Sequence, residues 1–142
     1  RPPRSTLFPY TTLFRSACAP AGASAARGQI GLTYDLALHG SVEFPTSFDP
    51  LEGRIHLGIH KDGLMTGLGA VYQLDELMDP NLASQDLHLY VGGGFNLTVQ
   101  EKNGGGALYL LMGLRYNLNP QLYTFVEATS YAGFAFGLGR GF

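Results

Sequence analysis

The sequence predicts an all-β chain folded as an antiparallel up-and-down transmembrane β-barrel of about eight strands, and three observations lead there. In residues 87–99 (LHLYVGGGFNLTV), Leu87, Leu89, Val91, Phe95, Leu97 and Val99 share one face, and His88, Tyr90, Asn96 and Thr98 the other. A period of two sustained over that length makes a strand able to cross a bilayer. The pattern recurs along the chain, whereas no run approaches the roughly eighteen consecutive apolar residues of a membrane-spanning helix. Charged residues make up only 14% of the chain and gather at Lys61-Asp62, Asp75-Glu76, Asp79 and Glu101-Lys102. These are loop positions, and a water-soluble barrel of this size needs more surface charge.

The chain divides into three parts. Residues 1–16 (RPPRSTLFPYTTLFRS) resemble the translation of a short-read sequencing adapter and are expected to be an artefact outside the fold. Residues 17–26 (ACAPAGASAA) are small and uncharged, and Ala23-Ser24-Ala25 has the form that signal peptidase accepts, so they read as the remnant of a signal peptide. Cys18, the single cysteine, lies in that leader, which leaves no cysteine chemistry for residues 27–142. Residues 27–142 are enough for one domain, the barrel. Removing Arg1, Arg4 and Arg15 with the artefact leaves six basic residues against eleven acidic ones. A nucleic-acid partner needs a basic face, so none is expected.

The strands follow in order. Ile30, Leu32, Tyr34, Leu36 and Leu38 alternate with Gln29, Gly31, Thr33, Asp35, Ala37 and His39, and His39-Gly40 is expected to turn the chain. A short strand with Val42 and Phe44 ends at Pro45. Leu51, Ile55, Leu57 and Ile59 alternate with Glu52, Arg54, His56 and His60, and Lys61-Asp62-Gly63 signals a hairpin. Leu64, Leu68, Ala70, Tyr72 and Leu74 then oppose Met65, Gly67, Gly69, Val71 and Gln73. After the strand at 87–99, Leu108, Leu110, Met112, Leu114 and Tyr116 oppose Tyr109, Leu111, Gly113, Arg115 and Asn117, and Asn119-Pro120 makes a tight turn. Residues 121–129 form the least regular strand. The last sets Phe134, Phe136, Leu138 and Phe142 against Gly133, Ala135, Gly137, Gly139 and Gly141. An even count of strands closes a bacterial barrel.

One face is almost wholly Leu, Ile, Val, Phe and Tyr; the other mixes glycines with polar and charged residues. Glycine columns and polar groups suit a narrow lumen. Asp35, Glu52, Arg54, Arg115 and Glu127 are expected to project inward and pair, because unpaired charges there are costly. With Tyr90, Tyr109, Gln73 and Asn96 they form a polar plug. Tyr123 and Phe125 share the parity of Glu127, which leaves the facing of that strand open. If strands alternate up and down from a periplasmic amino terminus, Phe44, Tyr72, Tyr116 and Phe142 fall at one end of the lipid face as an aromatic membrane-interface girdle. Arg140 shares that face, and two residues from the end it can snorkel to headgroups.

The alternating strands, the turn at residues 116–120 and the closing residues 136–142 (FGLGRGF) together resemble the small outer-membrane β-barrel proteins of diderm bacteria, the group that includes the OmpA barrel domain and OmpX-like proteins. The resemblance is architectural and implies localisation in the bacterial outer membrane. It also implies contact with outer-membrane lipid and a non-enzymatic structural or interaction role, with no cofactor, as a monomer. The closing stretch resembles the family's assembly signal, carried by Phe136, Leu138 and Phe142, which implies the barrel assembly machinery as a partner during biogenesis.

Other chemistry is weakly supported. His56 and His60 are four apart, but on a strand that spacing is roughly 13 Å, too far to share one ion, so no metal is expected. Gly92-Gly93-Gly94 and Gly104-Gly105-Gly106 lack the Lys-Ser/Thr that follows a phosphate loop. Two alternatives remain: a lipid A-modifying barrel enzyme using His39, His60 or Ser130 near the outer rim, and a soluble lipocalin-like ligand-binding barrel.

Overall fold

A computed structural model describes residues 26–35, 37–48, 50–60, 63–74, 86–100 and 104–142. Its eight strands are β1 (Arg27–Thr33), β2 (Leu38–Pro45), β3 (Leu51–His60), β4 (Gly63–Gln73), β5 (Leu87–Gln100), β6 (Gly105–Asn117), β7 (Leu122–Thr129) and β8 (Gly133–Gly141). Each pairs antiparallel with the next, and β8 returns to β1, so the sheet closes in sequence order. The expectations for the adapter-like residues, for the leader up to residue 25 with Cys18, and for the loop charges at 61–62, 75–79 and 101–102 lie outside the described residues.

Closure carries a fixed stagger. From Ile30 the paired residues run through Gly40, Leu57, Thr66 and Leu97 to Gly106 of β6. In the other direction they run through Leu138 and Thr124 to Tyr116 of the same strand, ten positions away. That stagger tilts the strands and lets a short sheet close on itself. Because side chains alternate across the wall, closure assigns each residue to the interior or the exterior.

The assignment reverses that of a water-soluble domain. Outside stand large apolar residues from every strand, among them Ile30, Val42, Leu57, Leu68, Phe95, Leu108 (84% exposed), Val126 and Phe136. Inside are buried Gln29, His39, Ser41, Glu43, Glu52, Arg54, His56, Asn96, Arg115 and Glu127.

The turn between β1 and β2 differs from the sequence expectation. The chain does not turn at His39-Gly40; β1 ends at Thr33 and β2 starts at Leu38, so His39 is an interior strand residue. Thr33 makes the turn: its N–H donates to the Ala37 carbonyl at 3.0 Å, and its hydroxyl accepts the Ala37 N–H at 3.1 Å. Leu32 pairs directly with Leu38. The two are an even number of residues apart and both face outward, so the alternation runs through the turn unbroken and hides it.

In β7, Tyr123 and Phe125 are buried inside together with Glu127. Glycines on facing positions make room for them: a Cβ on Gly139 would collide with the Tyr123 ring, and one on Gly31 with Phe125. The turn after β6 is shaped by Asn119, whose Oδ1 accepts the N–H groups of Gln121 and Leu122 at 2.9 and 2.8 Å. Gly133 opens β8 with φ +68°, a left-handed conformation that favours glycine.

Gly113 is required in the same spatial sense, since a Cβ there would collide with the Tyr90 ring. Gly113→Val is expected to destabilise the barrel by about 1–3 kcal/mol through overpacking. The urea midpoint of the protein refolded in detergent micelles measures this; an unchanged midpoint would contradict the packing described.

Candidate functional site: the barrel interior

The interior holds two layers. The lower one lies toward the end where β1 begins and is built from charges on facing walls. Arg27, Glu43 and Arg54 are direct partners across β1, β2 and β3, so charge alternates between neighbouring strands. Two arginines then span the barrel. Arg54 of β3 donates to both carboxylate oxygens of Glu127 on β7, at 2.6 and 3.0 Å. Arg115 of β6 donates to Glu43 of β2 at 2.7 Å. Arg54 also lies 3.6 Å from the second oxygen of Glu43. Arg27 closes the lower edge, 3.4 Å from Glu43 and in contact with Glu52, which also accepts from Gln73 at 2.9 Å.

Three guanidinium groups thus meet three carboxylates, with Arg54, Arg115, Glu43 and Glu127 buried and Arg27 partly exposed at the edge. The bidentate pairing of Arg54 with Glu127 is the strongest geometry such groups adopt. Tyr90 adds a third contact to Glu127, donating its hydroxyl to Oε2 at 3.0 Å. It reaches that carboxylate over Gly113, which is the direct partner of both Tyr90 and Glu127. The Arg115 guanidinium lies over the rings of Tyr90 and Tyr123, 4.6 and 4.8 Å from their centroids. Such stacking suits a delocalised cation and leaves its edge for Glu43.

The upper layer is aromatic. His56 stacks on Tyr131 at 5.4 Å between centroids and meets Tyr109 edge-on at 5.0 Å. Tyr131 in turn brings its hydroxyl to within 3.3 Å of His39 Nε2. Asn96 lies beside this layer, buried.

Of the interior residues expected from sequence, Glu52, Arg54, Arg115, Glu127 and Tyr90 meet in the charged layer, and Tyr109 lies in the aromatic layer above it. Asp35 is a correction. It belongs to the β1–β2 turn at the rim, with its carboxylate bonded to the Thr33 hydroxyl and, at 2.5 Å, to His60 Nε2. Those two contacts hold its carboxyl below the usual carboxylate range. Once the strand ends at Thr33, parity no longer sends the residue inward. Glu43 and Arg27 are the members the sequence reading passed over. Glu43 was legible, because it stands between outward Val42 and Phe44.

Phe44, Tyr72, Tyr116 and Phe142 lie exposed on the outer face. They stand toward one end: Phe44 is next to the last residue of β2, Tyr72 pairs with Leu51 and Tyr116 with Leu87, the first residues of β3 and β5. Phe142 follows β8, and its N–H donates to the Ala26 carbonyl at 2.9 Å. Phe136 and Leu138 are exposed on β8. No triad forms among the described residues near the other rim. The Ser130 hydroxyl accepts the Leu110 N–H, His39 meets Tyr131, and His60 meets Asp35.

No protein-family model and no curated protein matches the sequence. Solved structures do match the fold. The N-terminal β-barrel domain of Pseudomonas aeruginosa OprF superposes with a TM-score of 0.62 at 19% identity, covering 84% of this chain and 98% of that one. A structure from the de novo design of transmembrane β-barrels matches with a TM-score of 0.54 at 20% identity, covering 83% of this chain and 93% of that one. The chain therefore shares the β-barrel fold of these structures.

Removing one partner of the central pair leaves a buried charge uncompensated. Glu127→Ala is expected to cost about 3–5 kcal/mol, and replacing both partners, Arg54→Met with Glu127→Leu, to recover most of that loss. Chemical denaturation in micelles reads both. Equal destabilisation by the single and double changes would contradict the pairing. Asp35→Asn, at the hydrated rim, is expected to lower the midpoint far less than Glu127→Ala.

Proposed function

We propose that the protein is an integral outer-membrane β-barrel with a closed interior, acting as a structural or interacting component of that membrane and not as an enzyme. The observation that carries this reading is the reversal of polarity across the wall: the outer face carries large apolar residues on all eight strands while arginines and glutamates are buried within. A soluble barrel built this way would expose its apolar side to water. In hydrocarbon the same arrangement is favourable, because every strand finds backbone partners on both sides and no edge is left. The fold shared with the OprF barrel domain and with designed transmembrane barrels supports the same reading.

In this reading the turn at 117–121 faces the periplasm, and Phe44, Tyr72, Tyr116 and Phe142 sit at that interface, where aromatic rings are favoured. Phe136, Leu138 and Phe142 serve as the assembly signal for the barrel assembly machinery, and the monomer is the functional unit. The Arg54–Glu127 and Arg115–Glu43 contacts cross the lumen from opposite walls, so the interior is a plug and not a pore.

Two measurements test this. The refolded protein is expected to migrate differently before and after boiling in electrophoresis, as a detergent-resistant closed barrel does; identical mobility would contradict the membrane assignment. In planar bilayers it is expected to give no large, stable single-channel currents, and such currents from the unmodified protein would contradict the plug.

A further inference from the structure

Glycines inside the strands almost all have a steric reason within the barrel. On the inner wall a Cβ at Gly67, Gly69, Gly113 or Gly139 would strike an interior side chain. On the outer wall aromatic rings cover three of them: Phe44 lies over Gly53, Phe95 over Gly106 and Phe142 over Gly28. Open space also surrounds a Cβ at Gly105 and Gly141, terminal residues of β6 and β8, but away from the strand ends Gly40 is the exception. It faces outward in the middle of β2, and the nearest atom to a Cβ there is the Gln29 carbonyl oxygen at an ordinary 3.6 Å. Nothing among the described residues needs the side chain to be missing, and a bare glycine weakens a strand. The register of β2 runs through Gly40 without a bulge, and close approach of another molecule is the further reason for a glycine inside a strand.

What lies around it indicates the visitor. Gly40 floors a trough of about 550 Å³ on the outer wall, with Ile30, Val42, Leu57 and Leu138 among its walls and Arg140 at one end. Among the described residues Arg140 is the one charged side chain on the outer face of a strand, and its guanidinium reaches only Gln121, at 3.5 Å. Arg140 pairs with Gly28 of β1, two residues before Ile30, the partner of Gly40. The cation and the bare floor are therefore offset by two strand spacings sideways and one side-chain repeat along the barrel, roughly 10 Å and 7 Å. An anionic head joined to a flexible apolar chain spans that offset.

We propose that this trough binds a phospholipid, with the phosphate on the Arg140 guanidinium and one acyl chain lying across Gly40. The site rests on the membrane reading above. Arginine matches phosphate oxygens with two parallel N–H donors, which a hydrated bulk headgroup does not require but a held lipid uses. The trough supplies the apolar contact that makes one lipid stay. A second outer-wall trough, over Ala70 and Met112, has about the same volume but no cation among its lining residues. It serves as an internal control.

Native mass spectrometry of the full chain, refolded in detergent with added phosphatidylglycerol, tests the site. Gly40→Leu fills the trough at a position with room for a side chain, and Arg140→Gln removes the charge. Each is expected to weaken lipid retention about tenfold, the change one charge-assisted contact or one filled apolar subsite carries. Ala70→Leu in the second trough is expected to leave retention unchanged. Equal retention by wild type, Gly40→Leu and Arg140→Gln, all showing a boiling-dependent mobility shift, would overturn the lipid site while the barrel reading stands. Preferential retention of lipid A over phosphatidylglycerol in competition would also overturn it. Absence of the mobility shift in wild type would overturn the membrane reading and this site with it.

Discussion

Closure of the sheet is the constraint on which the other features depend. Once β8 pairs with β1, every strand position has a fixed inside or outside. The chain has no further freedom to hide a charge by rotating a strand, because a one-residue slip would move a whole face. Arg54, Arg115 and Arg27 must then find anions within the lumen, and Glu43, Glu52 and Glu127 supply them. Burying such ions costs several kcal/mol each, and their mutual attraction roughly offsets that cost. The cluster is better understood as fixing which walls face each other than as a large source of net stability.

The same constraint explains the division of labour among glycines and aromatics. A small barrel has a narrow interior, and rings as large as Tyr90, Tyr123 and Phe125 fit only where the facing residue has no side chain. Inward glycines are the complement of inward rings. Outside, the relation is reversed: rings of Phe44, Phe95 and Phe142 occupy the space over glycines of neighbouring strands. Gly40 stands apart because, away from the strand ends, it is the one strand glycine among the described residues at which a Cβ would meet nothing closer than ordinary contact.

Much of this was legible in the sequence because alternation is strictly periodic. The eight strands, the facing of all but β7, and the inward positions of Arg54, Arg115 and Glu52 follow from parity alone. The first turn was not legible: Leu32 and Leu38 keep the same phase across it, and the groups that make it, Thr33 and Ala37, are unremarkable as turn residues. Asp35 was misplaced for that reason. The facing of β7 was ambiguous because Tyr123 and Phe125 look like lipid-facing residues, and only the glycines opposite them in three dimensions show where they fit. Cross-barrel partners such as Glu43 and Arg115 carry no sequence signal, since they lie on opposite walls and far apart along the chain.

The central claim is that one face of each strand contacts lipid and the other does not. The sequence contains no tryptophan, so single reporters can be introduced cleanly. Val126→Trp places one on the outer face of β7, and Leu111→Trp places one inside β6. In vesicles of lipids brominated along the acyl chain, the account predicts strong quenching of the reporter at 126 and little at 111. Equal quenching at both, or quenching at neither, would contradict it.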